Sequence, residues 1–286
     1  MHTTLALYLN LAKPRILCMV LVTVTIGFFL GGQGINSISL LVWTLCGTAL
    51  TSAGAGMLNH YLERDVDALM KRTCRRPLPS GLVRPATVLA VGSVCVVLGT
   101  LLLVMLVNLL CGFLALLTAF LYVLVYTPLK RLTWLNTFVG AIPGAIPPMG
   151  GWVAATGELQ FGAWILFLIL FFWQHPHFFA IAWMYRDDYS RGGLKMLPVV
   201  DPDGGSTFRQ ILVYSACLIP ISLQPTIIGL SGSIYFYGAL ALGIWMFVVG
   251  LGLARERTTQ QARKLLRVSV VYLPVLLALI VADASM

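Results

Sequence analysis

Apolar residues run in long stretches from one end of the chain to the other, broken by short polar segments. Nine stretches have roughly the 20 residues that a helix needs to cross the hydrocarbon core of a bilayer. They are 15–33, 38–60, 86–107, 109–127, 134–155, 161–184, 209–230, 233–254 and 266–284. Polar residues or Gly and Pro interrupt the second, fifth and sixth. The pattern predicts an all-α fold, a polytopic bundle of nine transmembrane helices forming one membrane-embedded domain over residues 1–286. Met1 to Pro14 shows no small-residue cleavage site before the first stretch, which reads as a retained span.

Composition and charge sharpen this picture. Hydrophobic residues make up 59% of the chain and charged ones 10%, against roughly 25% charged in soluble domains. The segment before span 1 and the loops after spans 2, 4, 6 and 8 hold all 19 basic residues. The other side carries only Glu158 and Asp283. The positive-inside rule therefore predicts a cytoplasmic N-terminus in an inner, cytoplasmic membrane. The formal net charge of +9 reflects topology and contact with anionic membrane lipid. No basic, aromatic-rich soluble segment points to nucleic acid. Of the six cysteines, five lie in apolar stretches and none forms a CxxC pair, which speaks against disulfides or a zinc site. Cys74 stands apart, in a basic loop.

Acids are scarce, so their clustering is informative. Asn59, Glu63 and Asp67 follow one another at i, i+4 and i+8 where span 2 ends, and on a helix they share a face. Two neighbouring carboxylates repel unless a cation joins them, and an oxygen-only ligand set suits Mg²⁺ shared with substrate phosphates. Lys71, Arg72, Arg75 and Arg76 follow closely and can grip diphosphate oxygens. The competing reading is a solvated, salt-bridged helix end. Against it, the stripe begins inside the apolar span, where polar groups are costly and usually functional.

The loop after span 6 repeats the theme with Arg186, Asp187, Asp188, Arg191 and Lys195, on the same predicted side. Two such patches can hold a diphosphate between them while metal ions stabilise its departure from an allylic carbon. Asp187 and Asp188 would point to different sides of a helix, so one of them is expected to bind metal. Span 6 also carries His175 and His177 around Pro176, two apart and therefore facing different ways; hydrogen-bonded packing and haem-iron ligation are both open to such residues. Span 5 is broken by Pro143, Pro147 and Pro148, as close helix packing or a cavity wall would require. Lys130, in Tyr126-Thr-Pro-Leu-Lys130-Arg131, reads as an interfacial anchor or a phosphate contact, and Lys13-Pro14-Arg15 reads the same way.

Together, the Asn-x-x-x-acid-x-x-x-Asp stripe, the second acidic loop and nine spans resemble the UbiA superfamily of intramembrane prenyltransferases. Finer features resemble a haem-farnesylating branch: Glu63-Arg64-Asp65-x-Asp67, Arg72-Thr73 through Arg76-Pro77-Leu78-Pro79, Trp173-Gln174-x-Pro176-His177-Phe178, and Asp188-Tyr189 through Met196-Leu197-Pro198-Val199. The chain departs from the broad superfamily in having Glu63 where Asp is commoner, and in lacking a clean Asp-x-x-x-Asp in the second cluster. The resemblance implies an Mg²⁺-dependent transfer of the farnesyl group of farnesyl diphosphate to a vinyl group of haem B, with addition of water. It implies metal binding by Asn59, Glu63 and Asp67, with Asp187 or Asp188 opposite. Arg64, Lys71, Arg72, Arg191 and Lys195 become candidates for diphosphate or propionate contacts, and His177, or after it His175, for orienting the haem. Haem A synthase or a terminal oxidase under assembly would take the product. Two other readings compete: a prenyltransferase acting on an aromatic quinone precursor, and a transporter of an anionic metabolite.

Overall fold

The computed structural model describes residues 4–284; Met1 to Thr3 and the last two residues, part of the predicted single domain, lie outside the described residues. Among the described residues there is no strand, and nine helices are long and apolar enough to cross a membrane. A short helix, α1 (Thr4–Leu11), precedes α2 (Pro14–Gly31), which Pro14 opens and which carries the first span. Next comes α3 (Ile38–Leu69), capped by Ser37, whose hydroxyl accepts from the Leu40 amide at 3.3 Å. An N-cap oxygen of this kind satisfies one of the amide groups left over at a helix start. α4 (Pro85–Leu106) and α5 (Leu109–Phe120) follow, the latter capped by Asn108. Its span continues through a π-helical stretch, Leu121–Tyr126, into α6 (Thr127–Leu132). The remaining elements are α7 (Asn136–Thr156), α8 (Phe161–Met184), α9 (Arg186–Arg191), α10 (Leu197–Val200), α11 (Gly205–Ile227), α12 (Ser233–Glu256) and α13 (Thr259–Ala284).

Apolarity marks where lipid ends, and helices here outlast it. α3 runs to Leu69 and α13 starts at Thr259, whereas the apolar stretches stop at 60 and start at 266. In α3 the extra turns carry Glu63 and Asp67, which remain helical because other elements supply their partners. The basic segments meet at one end of the bundle. The Lys71 and Arg72 amides donate to Asp188, the Lys195 amide to the Lys130 carbonyl, Lys13 to Asn59, and Arg257 to the Asp203 carbonyl.

α7 and α8 are the most buried of the nine spans. Three prolines inside α7 remove amide donors, and small residues let α2 come against it backbone to backbone. A methyl group at Gly151 would land on the Val24 carbonyl, and one at Gly27 on the Pro148 carbonyl. Gly150, one position round the helix, has open space. Backbone cannot step aside as a side chain can, so Gly151→Val should force α2 from α7 at a cost of about 1–3 kcal/mol or more. Gly150→Ala should be tolerated. Melting of the two variants in detergent, with size-exclusion profiles, checks this; equal stability would mean the helix pair is looser than described.

Candidate active site

α3 presents Asn59, Glu63 and Asp67 on one buried face. Each meets a basic side chain from a different part of the chain. The Lys13 ammonium donates to Asn59 Oδ1 at 2.5 Å and to the Tyr122 hydroxyl at 2.9 Å. Lys130 Nζ donates to Glu63 Oε1 at 2.7 Å, and Arg76 Nη1 to Asp67 Oδ2 at 2.8 Å. Three cations thus surround two carboxylates, an excess of positive charge that favours a polyanion. Lys13 reaches in from a left-handed backbone position (φ 54°) just before Pro14, a conformation disfavoured for a residue with a Cβ and held by its surroundings.

The π-helical stretch aims the opposite wall. A π-turn rotates the residues after it relative to an α-helix, and such turns are frequent at functional sites. Here it brings Tyr122, Tyr126, Thr127 and Lys130 to α3. Thr127 Oγ1 donates to the Tyr122 carbonyl at 2.8 Å and accepts from Asn59 Nδ2 at 2.9 Å, so the Asn59 amide is fixed with its oxygen towards Lys13. The Lys130 ammonium lies 4.4 Å from the centre of the Tyr126 ring. Tyr122 and Thr127 were not foreseen as site residues. Pro128, which has no amide to give to the preceding turn, was the available signal for an irregular helix.

The second cluster divides as its helical geometry requires. Asp188 is buried and Asp187 exposed. Asp188 Oδ1 accepts from the Lys71 amide at 2.9 Å and Oδ2 from the Arg72 amide at 3.2 Å, while Arg191 caps the same carboxylate. Burial pushes the Asp188 carboxyl up, but the Arg191 hydrogen bond and the two amides outweigh it and hold the group below the usual carboxylate range. Asp188 therefore ties α9 to the turn after α3. The Arg72 guanidinium lies over the Tyr185 and Tyr189 rings, 4.9 and 5.6 Å from their centres. It also lines a cavity of about 190 Å³ together with Tyr126, Gly140, Phe178, Ile181 and Tyr189. That cavity lies between α7 and α8, with Tyr126 of the π-helical stretch in its wall.

The other candidates lie further out. Arg64 is turned away from the stripe, stacked on Tyr61 and facing Asp65 at 3.6 Å. The Lys71 and Lys195 side chains are exposed, while the backbone of both holds the site together. His60, buried behind the stripe, lies 3.8 Å from Asp67 Oδ2. His177 Nδ1 meets the Ser269 hydroxyl of α13 at 2.8 Å, and His175 stacks on Tyr214 of α11 at 3.7 Å.

The stripe suits a divalent metal in its donor chemistry. Glu63 Oε2 is not taken by Lys130, and Asp67 Oδ1 is buried with no partner among the described residues. Mg²⁺ binds through one or two carboxylates and completes its shell with water and phosphate oxygen. No group of three His, Cys, Asp or Glu converges among the described residues. Asp188 differs, since both of its oxygens are already engaged.

Nine membrane-length helices among the described residues make this a polytopic membrane protein, and sequence relationships give its class. The model of the UbiA prenyltransferase family matches residues 20–273, and the chain belongs to that family. Within it, the chain is 46% identical over 285 residues to the Protoheme IX farnesyltransferase of Solibacter usitatus (strain Ellin6076), covering 96% of this chain and 98% of that protein. It is 49% identical over 276 residues to the Protoheme IX farnesyltransferase of Salinibacter ruber (strain DSM 13855 / M31), again covering 96% and 98%. Among solved structures, a UbiA homolog from Archaeoglobus fulgidus bound to DMAPP and Mg²⁺ shares the fold, with a TM-score of 0.69 at 18% identity over 96% of this chain and 98% of that one.

Proposed function

We propose that this protein transfers the farnesyl group of farnesyl diphosphate to a vinyl group of haem B, with addition of water, to give haem O. The observation that carries this reading is end-to-end similarity at 46–49% identity to two proteins named Protoheme IX farnesyltransferase. The buried stripe of Asn59, Glu63 and Asp67 supplies the chemistry such a reaction needs. Glu63 and Asp67 are the residues to hold Mg²⁺, joined by Asn59 Oδ1 where Lys13 gives way to the metal, with Asp188 the remaining carboxylate candidate and Asp187 the next. Bound there, Mg²⁺ would neutralise charge on the departing diphosphate. Lys13, Lys130 and Arg76 already neutralise Glu63 and Asp67 and are near enough to share with an incoming diphosphate; Arg72 lines the cavity, and Lys71, Arg191 and Lys195 lie further out.

The carbon–oxygen bond of the allylic diphosphate breaks with its electron pair on oxygen. The vinyl π electrons then bond the farnesyl cation, and water adds to the carbon next to the porphyrin and loses a proton. No strong protein base is required. Gly140, Phe178, Ile181 and Met196 supply the apolar part of a cavity whose lining is otherwise polar, and that part is the one to keep water from the cation before the vinyl group reaches it. We place the protein in the inner membrane with this cavity and the N-terminus on the cytoplasmic side, where farnesyl diphosphate is soluble. Haem A synthase or a terminal oxidase under assembly is the partner we expect to receive the product.

Membranes containing the protein, given haem B and farnesyl diphosphate, should form a product heavier by farnesyl plus water. Chelating Mg²⁺ should abolish it. Unchanged haem alongside prenylation of a hydroxybenzoate would overturn the choice of acceptor and favour the quinone-precursor reading.

A further inference from the structure

His175 and His177 have the same protonation pattern and differ in which nitrogen can be approached. The Ser269 hydroxyl has one hydrogen and donates it to the Leu266 carbonyl at 2.8 Å. With that hydrogen on the carbonyl, the 2.8 Å contact with His177 is Nδ1–H donating to Oγ, an assignment of tautomer that leaves the imidazole lone pair on Nε2. Trp173 stacks on this ring with centres 4.9 Å apart, and its indole N–H is tied to the Ser269 carbonyl at 2.8 Å. One residue of α13 thus sets both the tautomer of the ring and the plane that supports it. His177 is only half-buried, and its Nε2 has no partner among the described residues and is not sealed off.

His175 also has Nδ1–H on a carbonyl, that of Phe171 at 2.7 Å. Its Nε2, however, is fully buried, beneath the Tyr214 ring and among Phe138, Phe171 and Phe179. That nitrogen is sealed within the packed helices. An imidazole held through Nδ1–H with Nε2 open is the arrangement of a transition-metal ligand, and haem iron is bound by such a nitrogen. Phe178, the next residue along α8, lines the cavity between α7 and α8.

We propose that His177 Nε2 is an axial ligand to the iron of the haem substrate, with Ser269 as the positioning residue that fixes its tautomer. This rests on the haem reading above. The lone pair fills an axial position in place of water, and no oxidation state changes.

The test is titration of the purified, full-length protein in detergent with ferric haem, followed by visible absorption. Wild type should show the Soret band of imidazole-ligated haem. His177→Ala and the larger His177→Gln should lose it, and added imidazole should restore it in His177→Ala. Ser269→Ala should weaken haem binding by about 10-fold or more, as loss of a ligand's supporting hydrogen bond does. His175→Ala should keep the wild-type spectrum. If the His177 variants do not purify, the affinity of Ser269→Ala decides. A wild-type spectrum in His177→Ala, unchanged affinity in Ser269→Ala, or loss of the spectrum only in His175→Ala would overturn the assignment. A wild type that takes up no haem at all would instead remove the haem reading on which it stands.

Discussion

Asp67→Asn is expected to lower haem conversion by on the order of 10²–10³-fold, the loss typical when one group that stabilises transition-state charge is removed. The substitution keeps the side chain's shape and removes only its charge. Asp67 is 1% exposed; Arg76 holds Oδ2 at 2.8 Å, and Oδ1 has no partner among the described residues. A free oxygen at the end of a buried acid stripe is poorly explained by structure alone, since an unpaired buried acceptor costs about 1–3 kcal/mol. It is well explained by a metal. Arg76, 30% exposed, can turn to water when its anion is gone, so the amount of folded protein in membranes should stay near wild type. Initial rates at increasing Mg²⁺ check the assignment: the asparagine variant should need far more metal or fail to respond. Turnover near wild type would sink the role of Asp67 as a ligand.

Much of this was legible in the sequence, for identifiable reasons. Nine spans followed from apolar length, and the alternation of basic loops matched the end at which Lys13, Lys71, Lys195 and Arg257 are now joined. The Asn59, Glu63 and Asp67 stripe followed from helical spacing alone, which holds because α3 continues to Leu69. What could not be read was which cation meets which acid. Lys130 lies 67 residues from Glu63 and reaches it through a π-helical stretch; helix spacing carries no information about such a rotation. Periodicity separated Asp187 from Asp188 but left open which faced inward, because that depends on the Lys71 and Arg72 amides across the fold. The histidines were the reverse case. Spacing placed them on different faces, yet only Ser269 and Tyr214, from other helices, distinguish the open nitrogen from the sealed one.

The second large effect concerns the Glu63–Lys130 pair, and two variants combined reveal more than either alone. Lys130→Met should destabilise the protein by roughly 3–5 kcal/mol at most, because it strands a carboxylate that cannot reach water freely. Both side chains are largely buried, at 12% and 15% exposure, so the true figure should fall toward the lower end. Lost attraction to the Tyr126 ring, whose centre is 4.4 Å from Nζ, adds to it. Glu63→Gln leaves the Lys130 ammonium without its carboxylate and should also lower the melting temperature. In the double variant, Glu63→Gln with Lys130→Met, two uncharged side chains face each other. Most of the stability should then return, since neutral replacements of a buried pair are often close to neutral overall. Activity should not return with it. On the present reading Glu63 holds metal and Lys130 shares in binding diphosphate, so all three variants should turn over haem at least about 10²-fold more slowly than wild type. Melting curves and rates on the same four preparations separate the two roles. A double variant that regains both stability and turnover would mean the pair only holds α6 to α3, and the metal would then have to rest on Asn59 and Asp67.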